Sequence, residues 1–563
     1  MGNEEPEAIL NEVGTKDHSV TSEYRVFGPP GTGKTTAISR QIQRAVDRFG
    51  PESILVTSFS RTAAAELAGR DLPIHSDRIG TLHSLCYRAL GCPVVAECRV
   101  SEWNRKNPHW ALTRVGKPSR LDGEDAVEDD AGGERPGDRT LQQLNWHRGM
   151  MIPASDWPRG LREFGVEWSG YKRWLGTLDF ADLIEHCLRD VSTAPWKPSV
   201  IFADEGQDLN PMQLALVRKW GGRANYFILG GDDDQCIFTF AGASPDGILA
   251  PAIPDDHKIV LRQSYRVPRA VHRVADRLIQ QVEHRQSKPY RARPAEGAVV
   301  RLAGTYESAE YGILKTAEQH LKEGKTIMFL ATCSYMLRPV VAALRKRGLP
   351  FHNPYRKSNG FWNPLRIGRK ASATGRVLAL LSAHPSFGRN HRPWTYRDIE
   401  LWTEVLATEG ILKPGAREAL SGRDPRRAIT ADALADIFEP GVVSALTATL
   451  GSNDCRSLLD WWLRRLPAGS GRHPVRFPAD VAAMHGADAL LNPNIVVGTV
   501  HSIKGGQADV VYLFPDLSQA ADSQYRRRGT SRDAVIRVLY VGITRARETL
   551  YICQPTSMLA ASI

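Results

Sequence analysis

Asp204-Glu205-Gly206-Gln207-Asp208 follows a short, β-rich apolar run, Ser199-Val200-Ile201-Phe202-Ala203, so two adjacent carboxylates fall where a buried strand should end. Two acids side by side repel each other, and they persist most readily when a cation and a proton-transfer task separate their roles. The natural division is one carboxylate toward Mg²⁺ and one toward an attacking water. Such a pair needs a phosphate partner. Gly28-Pro29-Pro30-Gly31-Thr32-Gly33-Lys34-Thr35 supplies one, a full match to G-x-x-x-x-G-K-[ST]. It follows the strand-like Tyr24-Arg25-Val26-Phe27 and precedes Thr36-Ala37-Ile38-Ser39-Arg40-Gln41-Ile42, which reads as a helix. Strand, Gly-rich loop and helix is the setting this motif requires. The glycines let backbone N–H groups wrap phosphates, and the helix N-terminus adds partial positive charge. Lys34 would reach the β- and γ-phosphates, and the Thr35 hydroxyl would complete the Mg²⁺ shell. The pattern implies nucleoside-triphosphate chemistry.

The elements that must position these residues are legible as short apolar runs, each followed by polar or glycine-rich chemistry. Ile54-Leu55-Val56 precedes Thr57-Ser58-Phe59, and Phe227-Ile228-Leu229 precedes Gly230-Gly231-Asp232. Ile327–Leu330, Ile495–Val497 and Val510–Leu513 repeat the pattern. Continuous apolar strands alternating with helical stretches indicate an α/β fold with parallel sheets covered on both faces, and function then belongs at the strands' carboxyl ends. At 563 residues the chain can hold two or more domains, and 42% hydrophobic with 24% charged residues is ordinary for a globular protein. No apolar run is long enough to span a bilayer. The acidic start Met1-Gly2-Asn3-Glu4-Glu5-Pro6 has no signal-peptide profile, so an intracellular, cytoplasmic protein is expected, with no membrane partner. Eight cysteines in so long a chain suit reduced thiols; Cys86, Cys92 and Cys98 with His83 lack a metal-knuckle spacing.

The formal net charge of +11 favours a polyanionic partner. From Gly324 to Arg397 there is no Asp or Glu, while fourteen Lys and Arg residues alternate with aromatics such as Tyr335, Phe351, Trp362 and Trp394. A phosphate-tracking surface is the expectation, with a solvated basic face as the alternative. Residues 121–139 are acidic and Gly-rich and read as a surface loop.

Further segments fall into order along the chain. They are Phe59-Ser60-Arg61-Thr62-Ala63-Ala64, Gly80-Thr81-Leu82-His83-Ser84, Leu178-Asp179-Phe180-Ala181-Asp182-Leu183 and Gly231-Asp232-Asp233-Asp234-Gln235 with Ile237-Phe238. Gln263-Ser264-Tyr265-Arg266, Thr499-Val500-His501-Ser502-Ile503-Lys504-Gly505 and Leu539-Tyr540-Val541-Gly542-Ile543-Thr544-Arg545-Ala546-Arg547 follow. With the two motifs above, this ordered set resembles the UvrD/Rep family of superfamily 1 DNA helicases. The resemblance implies two RecA-like parallel-sheet P-loop cores, each interrupted by a mainly helical accessory insertion. The first core would span residues 1–89 and 176–260, with an insertion at 90–175. The second would span 261–371 and 491–563, with a shortened insertion at 372–490.

The resemblance also implies roles. Asp204 and Thr35 would hold Mg²⁺, Glu205 would orient or deprotonate water, and Gln235 would sense the γ-phosphate of ATP. Arg266 and Arg545 would neutralise charge in the transition state, Tyr265 would stack on the base, and Gln507 would approach the ribose. Gly28, Pro29, Pro30, Gly31, Thr32, Gly33, Lys34, Thr35 and Thr36 would line the nucleotide. Phe59, Ser60, Arg61, Phe238 and Phe240, with Thr81, His83, Thr499 and His501, would meet single-stranded DNA. The implied activity is 3′-to-5′ translocation and unwinding at single-strand/duplex junctions, with a protein partner possible. The alternative is a translocase that strips proteins from DNA or serves a partner nuclease. The match departs at Thr36, Ala241 and Gln507, where relatives carry arginine, arginine and glutamate. No glutamine precedes the phosphate loop to read adenine, and Pro29-Pro30 is commoner in the superfamily's 5′-to-3′ branch.

Overall fold

The computed structural model describes residues 23–59, 69, 72–115, 135–356, 360–368, 371–467 and 473–563. Ser60 and Arg61 lie outside these, as do Lys357, Arg369, Lys370 and most of the acidic stretch 121–139. The chain divides into two compact units. One comprises residues 1–301, 500–552 and 557–563, and the other residues 302–499 and 553–556. The strands form parallel sheets, as the apolar runs imply.

In the first unit, β1 (Glu23–Phe27), β2 (Ile54–Ser58), β3 (Ile79–Thr81), β4 (Val200–Asp204), β5 (Tyr226–Gly231) and β6 (Lys258–Val260) make a six-stranded sheet. Its order is β3-β2-β4-β5-β1-β6, and neighbouring strands run parallel. Successive side chains of each strand enter opposite layers, the period-two rule of a pleated strand. Val26, Ile54, Val56, Val200, Phe202, Tyr226 and Ile228 pack with Ile38, Ile42 and Ala45 of the helix Lys34–Phe49. Phe27, Leu55, Ile201, Phe227 and Leu229 enter the other layer, against Leu82, Leu85, Leu183, Ile184 and Leu216. Burial on both faces explains why these strands read as unbroken apolar runs.

The register brings the carboxyl ends of the strands to one edge. Phe27 lies opposite Gly231, and Ser58 lies between Thr81 and Asp204. The phosphate loop, Phe59, the acidic pentad and the Asp232–Gln235 segment therefore start side by side. Strands Ala508–Leu513 and Ala546–Cys553, paired in parallel, flank the helix Thr530–Ile543 that leads to Arg545. Between residues 90 and 175 the helices Ser101–Lys106, Pro136–Gly149 and Arg159–Leu175 share a core of Trp103, Leu144, Phe164, Trp168 and Tyr171. Asp179 binds that layer to the sheet. It caps the helix Phe180–Asp190 and accepts from Arg148, Trp168 and Lys172 of the two longer helices.

In the second unit, Ile327–Ala331 and Phe351–His352 both pair in parallel with Ile495–Thr499. Helices between Ala373 and Leu491 gather around Leu380, Trp394, Trp402, Phe438, Leu458 and Trp462. The basic run differs here from a bare phosphate-tracking face. Lys346 pairs with Glu310 (2.7 Å), Arg347 with Glu318 (2.8 Å) and Arg397 with Glu400 (2.6 Å). Arg376 pairs with Glu404 and Arg392 with Asp398. Phe351, Trp362 and Trp394 are core residues. Acids outside the run thus pair with five of its fourteen cations, which a window confined to the run does not show. Among the described residues no helix is long and apolar enough to cross a membrane. All eight cysteines are free thiols.

Candidate functional site

The phosphate loop is built from backbone constraints. Gly28 N–H donates to the Gly231 carbonyl (2.9 Å), fixing the loop to β5. A Cβ on Gly28 would lie 2.5 Å from Lys34 Cβ, so glycine is what lets Lys34 fold back over the loop. Gly31 and Gly33 have φ of 73° and 77°, the left-handed region that disfavours side chains. Thr32 donates twice to the Pro29 carbonyl, from N–H (3.1 Å) and Oγ1 (2.8 Å). Ser264 Oγ donates to the Pro30 carbonyl (2.9 Å), and Tyr265 N–H to the Gly31 carbonyl (2.8 Å). The helix Lys34–Phe49 starts from Gly33 without a side-chain cap, leaving its first N–H groups to an anion. Thr35 is half-buried and Thr36 exposed.

At the end of β4 the acids meet the loop. Lys34 Nζ donates to both Asp204 Oδ1 and Glu205 Oε1, so one ammonium bridges the pair. Glu205 has φ 58°, a left-handed conformation that costs a non-glycine residue roughly 1 kcal/mol or more and aims its carboxylate back at the loop. Its Oε2 accepts from Gln207 Nε2 (2.6 Å), while Gln207 Oε1 accepts the Asp232 N–H (3.0 Å). Lys504 Nζ donates to Asp208 and stands 3.6 Å from Glu205 Oε2. Burial works against the Glu205 carboxylate, yet Lys34 and Lys504 overcome it and hold its pKa well below the carboxylate range. Burial wins at Asp208 and pushes its carboxyl up to about 7 in spite of Lys504. Burial also raises Asp204. Burial opposes the Lys34 charge too, but Asp204 and Glu205 hold its pKa above the usual lysine value.

The arginines expected to converge on the same phosphate are close by. Arg545 is buried; its Nη2 donates to Gln235 Oε1 (3.0 Å), and its Nε and Nη1 to the carbonyls of Val541 (2.9 Å) and Gly506 (3.2 Å). Gln235 Nε2 in turn donates to Asp232 Oδ2 (2.8 Å). Arg266 Nε donates to Gln507 Oε1 (2.8 Å), and a Cβ on Gly31 would collide with the Arg266 side chain. Tyr265 is 69% exposed, its ring open to a stacking partner.

Beyond the acids lies an aromatic group. Phe59 and Phe238 have ring centroids 5.7 Å apart, Phe238 and Phe240 6.0 Å, and Phe240 and His501 5.4 Å. Phe238 is buried, while Phe240 is 46% exposed. Lys504 Nζ lies 5.2 Å from the Phe238 ring centre, so one lysine touches both the acids and the aromatics. His501 Nε2 lies 3.2 Å from the Ile237 carbonyl, and burial pushes its pKa down to about 4; a neutral imidazole donating from Nε2 satisfies both facts. Thr81 Oγ1 accepts the Ser84 N–H (3.3 Å) as a helix cap, and the His83 ring meets the edge of Phe180 at 6.5 Å. Thr499 ends its strand in the second unit and is buried.

Residues 15–241 match the AAA domain family model, and residues 494–553 match the UvrD-like helicase C-terminal domain model. The chain is UvrD/Rep-like. It is 24% identical to YjcD of Bacillus subtilis over 313 residues, covering 51% of this chain and 40% of that protein. The ATP-dependent DNA helicase Rep of Buchnera aphidicola is 26% identical over 320 residues, 52% of this chain and 47% of Rep. The ATP-dependent DNA helicase PcrA of Staphylococcus aureus is 22% identical over 363 residues, 58% and 48% respectively. The chain thus spans about half the length of the curated relatives it matches.

Two features of this UvrD/Rep-like site were not foreseen from sequence. Lys504 stood in a quoted motif without a role, yet it links Asp208, Glu205 and Phe238. Asp232, Asp233 and Asp234, all buried, share the ammonium of Lys288, and Arg285 forms a two-pronged pair with Asp234 (2.8 and 2.6 Å). Three consecutive buried acids are the available signal, since such a run demands nearby cations.

Proposed function

We propose that this chain is an ATP-dependent DNA helicase that couples Mg-ATP hydrolysis to 3′-to-5′ movement along single-stranded DNA and to duplex unwinding. The contact that carries the reading is Lys504, which touches the acids at the nucleotide loop and the aromatics of the strand-facing group. Occupancy of one region is thereby sensed at the other. We assign the catalytic and nucleotide roles to Lys34, Asp204, Glu205, Gln235, Arg266 and Arg545, with Tyr265 and Gln507 toward the nucleoside. Phe59, Phe238, Phe240 and His501 are assigned to the strand, with Ser60, Arg61, Thr81, His83 and Thr499 along it. The two cores are residues 1–89 with 176–260 and 261–371 with 491–563; residues 90–175 and 372–490 are the insertions. The protein is expected inside the cell, on the nucleoid.

The donor set fits a divalent cation, because Asp204 and Glu205 already hold the positive charge of Lys34 between them. When bound, Mg²⁺ would be held by Thr35 and Asp204 and would offset charge on the phosphate oxygens. Lys34 would transfer its ammonium from the two acids to the β- and γ-phosphates. Glu205, released from that ammonium, would then accept a proton from the attacking water. Gln235 and Arg545 form a bonded pair, so loss of the γ-phosphate would be relayed through it to the helix Thr530–Ile543.

ATP hydrolysis with and without single-stranded DNA tests the reading, and absence of stimulation would overturn it. Unwinding of 3′-tailed against 5′-tailed duplexes tests the direction; equal rates would overturn the polarity. Stimulated hydrolysis without unwinding would instead identify a translocase that clears proteins from DNA or serves a nuclease.

A further inference from the structure

The helix Gln519–Arg526 runs into three consecutive arginines, Arg526, Arg527 and Arg528. Gly529, at φ 86°, then turns the chain into the helix Thr530–Ile543, whose first turn carries Arg532. Arg526, Arg528 and Arg532 line a cavity of about 450 Å³ with Asp522, Tyr525 and Met558. Between residues 522 and 532, four arginines face one acid. That acid, Asp522, is taken by Arg526 Nε (2.6 Å). Arg532 is oriented by Gln281 Oε1 (2.9 Å) and lies over the Tyr525 ring at 5.5 Å. Arg527 and Arg528 are exposed, and their guanidinium groups have no protein partner among the described residues.

These properties select a ligand chemistry. Clustered guanidinium forks match phosphate oxygens in pairs, whatever the base sequence. The one aromatic ring here, Tyr525, is half-buried and carries Arg532 over one face, so it offers a base less than the more exposed Phe240 does. Single-strand sites combine charge with stacking platforms, whereas duplex contacts need only the backbone. The helix Thr530–Ile543 has 14 residues and spans about 21 Å, so this patch is set well apart from Arg545 at the helix's far end. We propose that Arg526, Arg527, Arg528 and Arg532 form a docking surface for the phosphate backbone of double-stranded DNA, separate from the single-strand group; this rests on the DNA-motor reading above.

The test is a variant carrying Arg527→Ser and Arg528→Ser, neither of which bonds another side chain. Its affinity for a labelled blunt duplex of about 20 base pairs is followed by fluorescence anisotropy from about 50 to 200 mM salt. The slope of log affinity against log salt should become shallower by about 0.9 for each phosphate no longer neutralised, hence by roughly 1 to 2. ATP hydrolysis stimulated by an oligothymidylate of about ten nucleotides, which engages only a single-strand site, should stay within twofold. An unchanged duplex slope, or no duplex binding by the parent protein, overturns the proposal. An equal drop in both assays also overturns it, because the arginines then act as diffuse charge. Failure of oligothymidylate to stimulate the parent protein counts against the motor reading, while the duplex slope still decides the patch.

Discussion

Replacing Lys504 by methionine should produce a stability loss that depends on pH in a particular way. Lys504 is the cation that Asp208 contacts, and both side chains are almost wholly buried. Breaking such a pair from one side costs roughly 3–5 kcal/mol if the orphaned charge stays ionised. Asp208 can escape that cost by taking a proton. Its carboxyl already titrates at about 7 beside Lys504, so without Lys504 it must titrate higher. The raised pKa means that the folded state binds a proton the unfolded state has released above about pH 4, so the Asp208 contribution falls as pH rises. In the parent protein that decline ends near 7, where the carboxyl ionises against Lys504. In the variant it continues. The stability gap should therefore be flat below about pH 6 and widen by up to about 1.4 kcal/mol per pH unit above 7. Urea denaturation from about pH 5 to 9 reads the gap. A gap of constant size, or one equally steep on an Asp208→Asn background, would refute this account.

Other expectations follow from the same residues. Glu205→Gln should retain ATP binding in a fluorescent-nucleotide titration yet lose turnover at saturating ATP; unchanged turnover would remove Glu205 from its role. Phe240→Ala should weaken single-strand binding by about 1–3 kcal/mol, roughly 5- to 150-fold, with little change in thermal midpoint because the ring is half exposed. Gly31→Ala should lower nucleotide affinity sharply, since the left-handed backbone costs a side chain about 1–2 kcal/mol and the new methyl meets Arg266. Isothermal titration with ATP would show it, and near-parent affinity would contradict the geometry.

Much of the first sheet and its motifs is legible in the sequence because each motif is local. The phosphate loop needs its glycines within six residues, and the acidic pair must end an apolar strand. The pairing of Gln235 with Arg545 joins residues 310 apart; the ordered resemblance assigned both to one phosphate but did not anticipate their bond. Lys288 against three aspartates could not be assigned this way, because a charge's partner depends on which loops the fold brings together. The same reason separates the basic run from its counter-charges at Glu310, Glu318, Glu400 and Glu404. Thr81 shows a different limit. A threonine before a helix is also a cap, and here its hydroxyl bonds Ser84.

The two bonds from Ser264 and Tyr265 to the phosphate loop carry an entropic consequence. They come from a segment more than 230 residues away and pin the carbonyls of Pro30 and Gly31. Fixing a residue's backbone costs roughly 1–2 kcal/mol, so ordering Gly28–Gly33 amounts to several kcal/mol. Folding of the distant segment has already met that cost. A nucleotide arriving at the loop therefore keeps nearly all of its interaction energy as affinity, and loosening the Ser264 clasp should weaken binding without removing a single atom that touches phosphate.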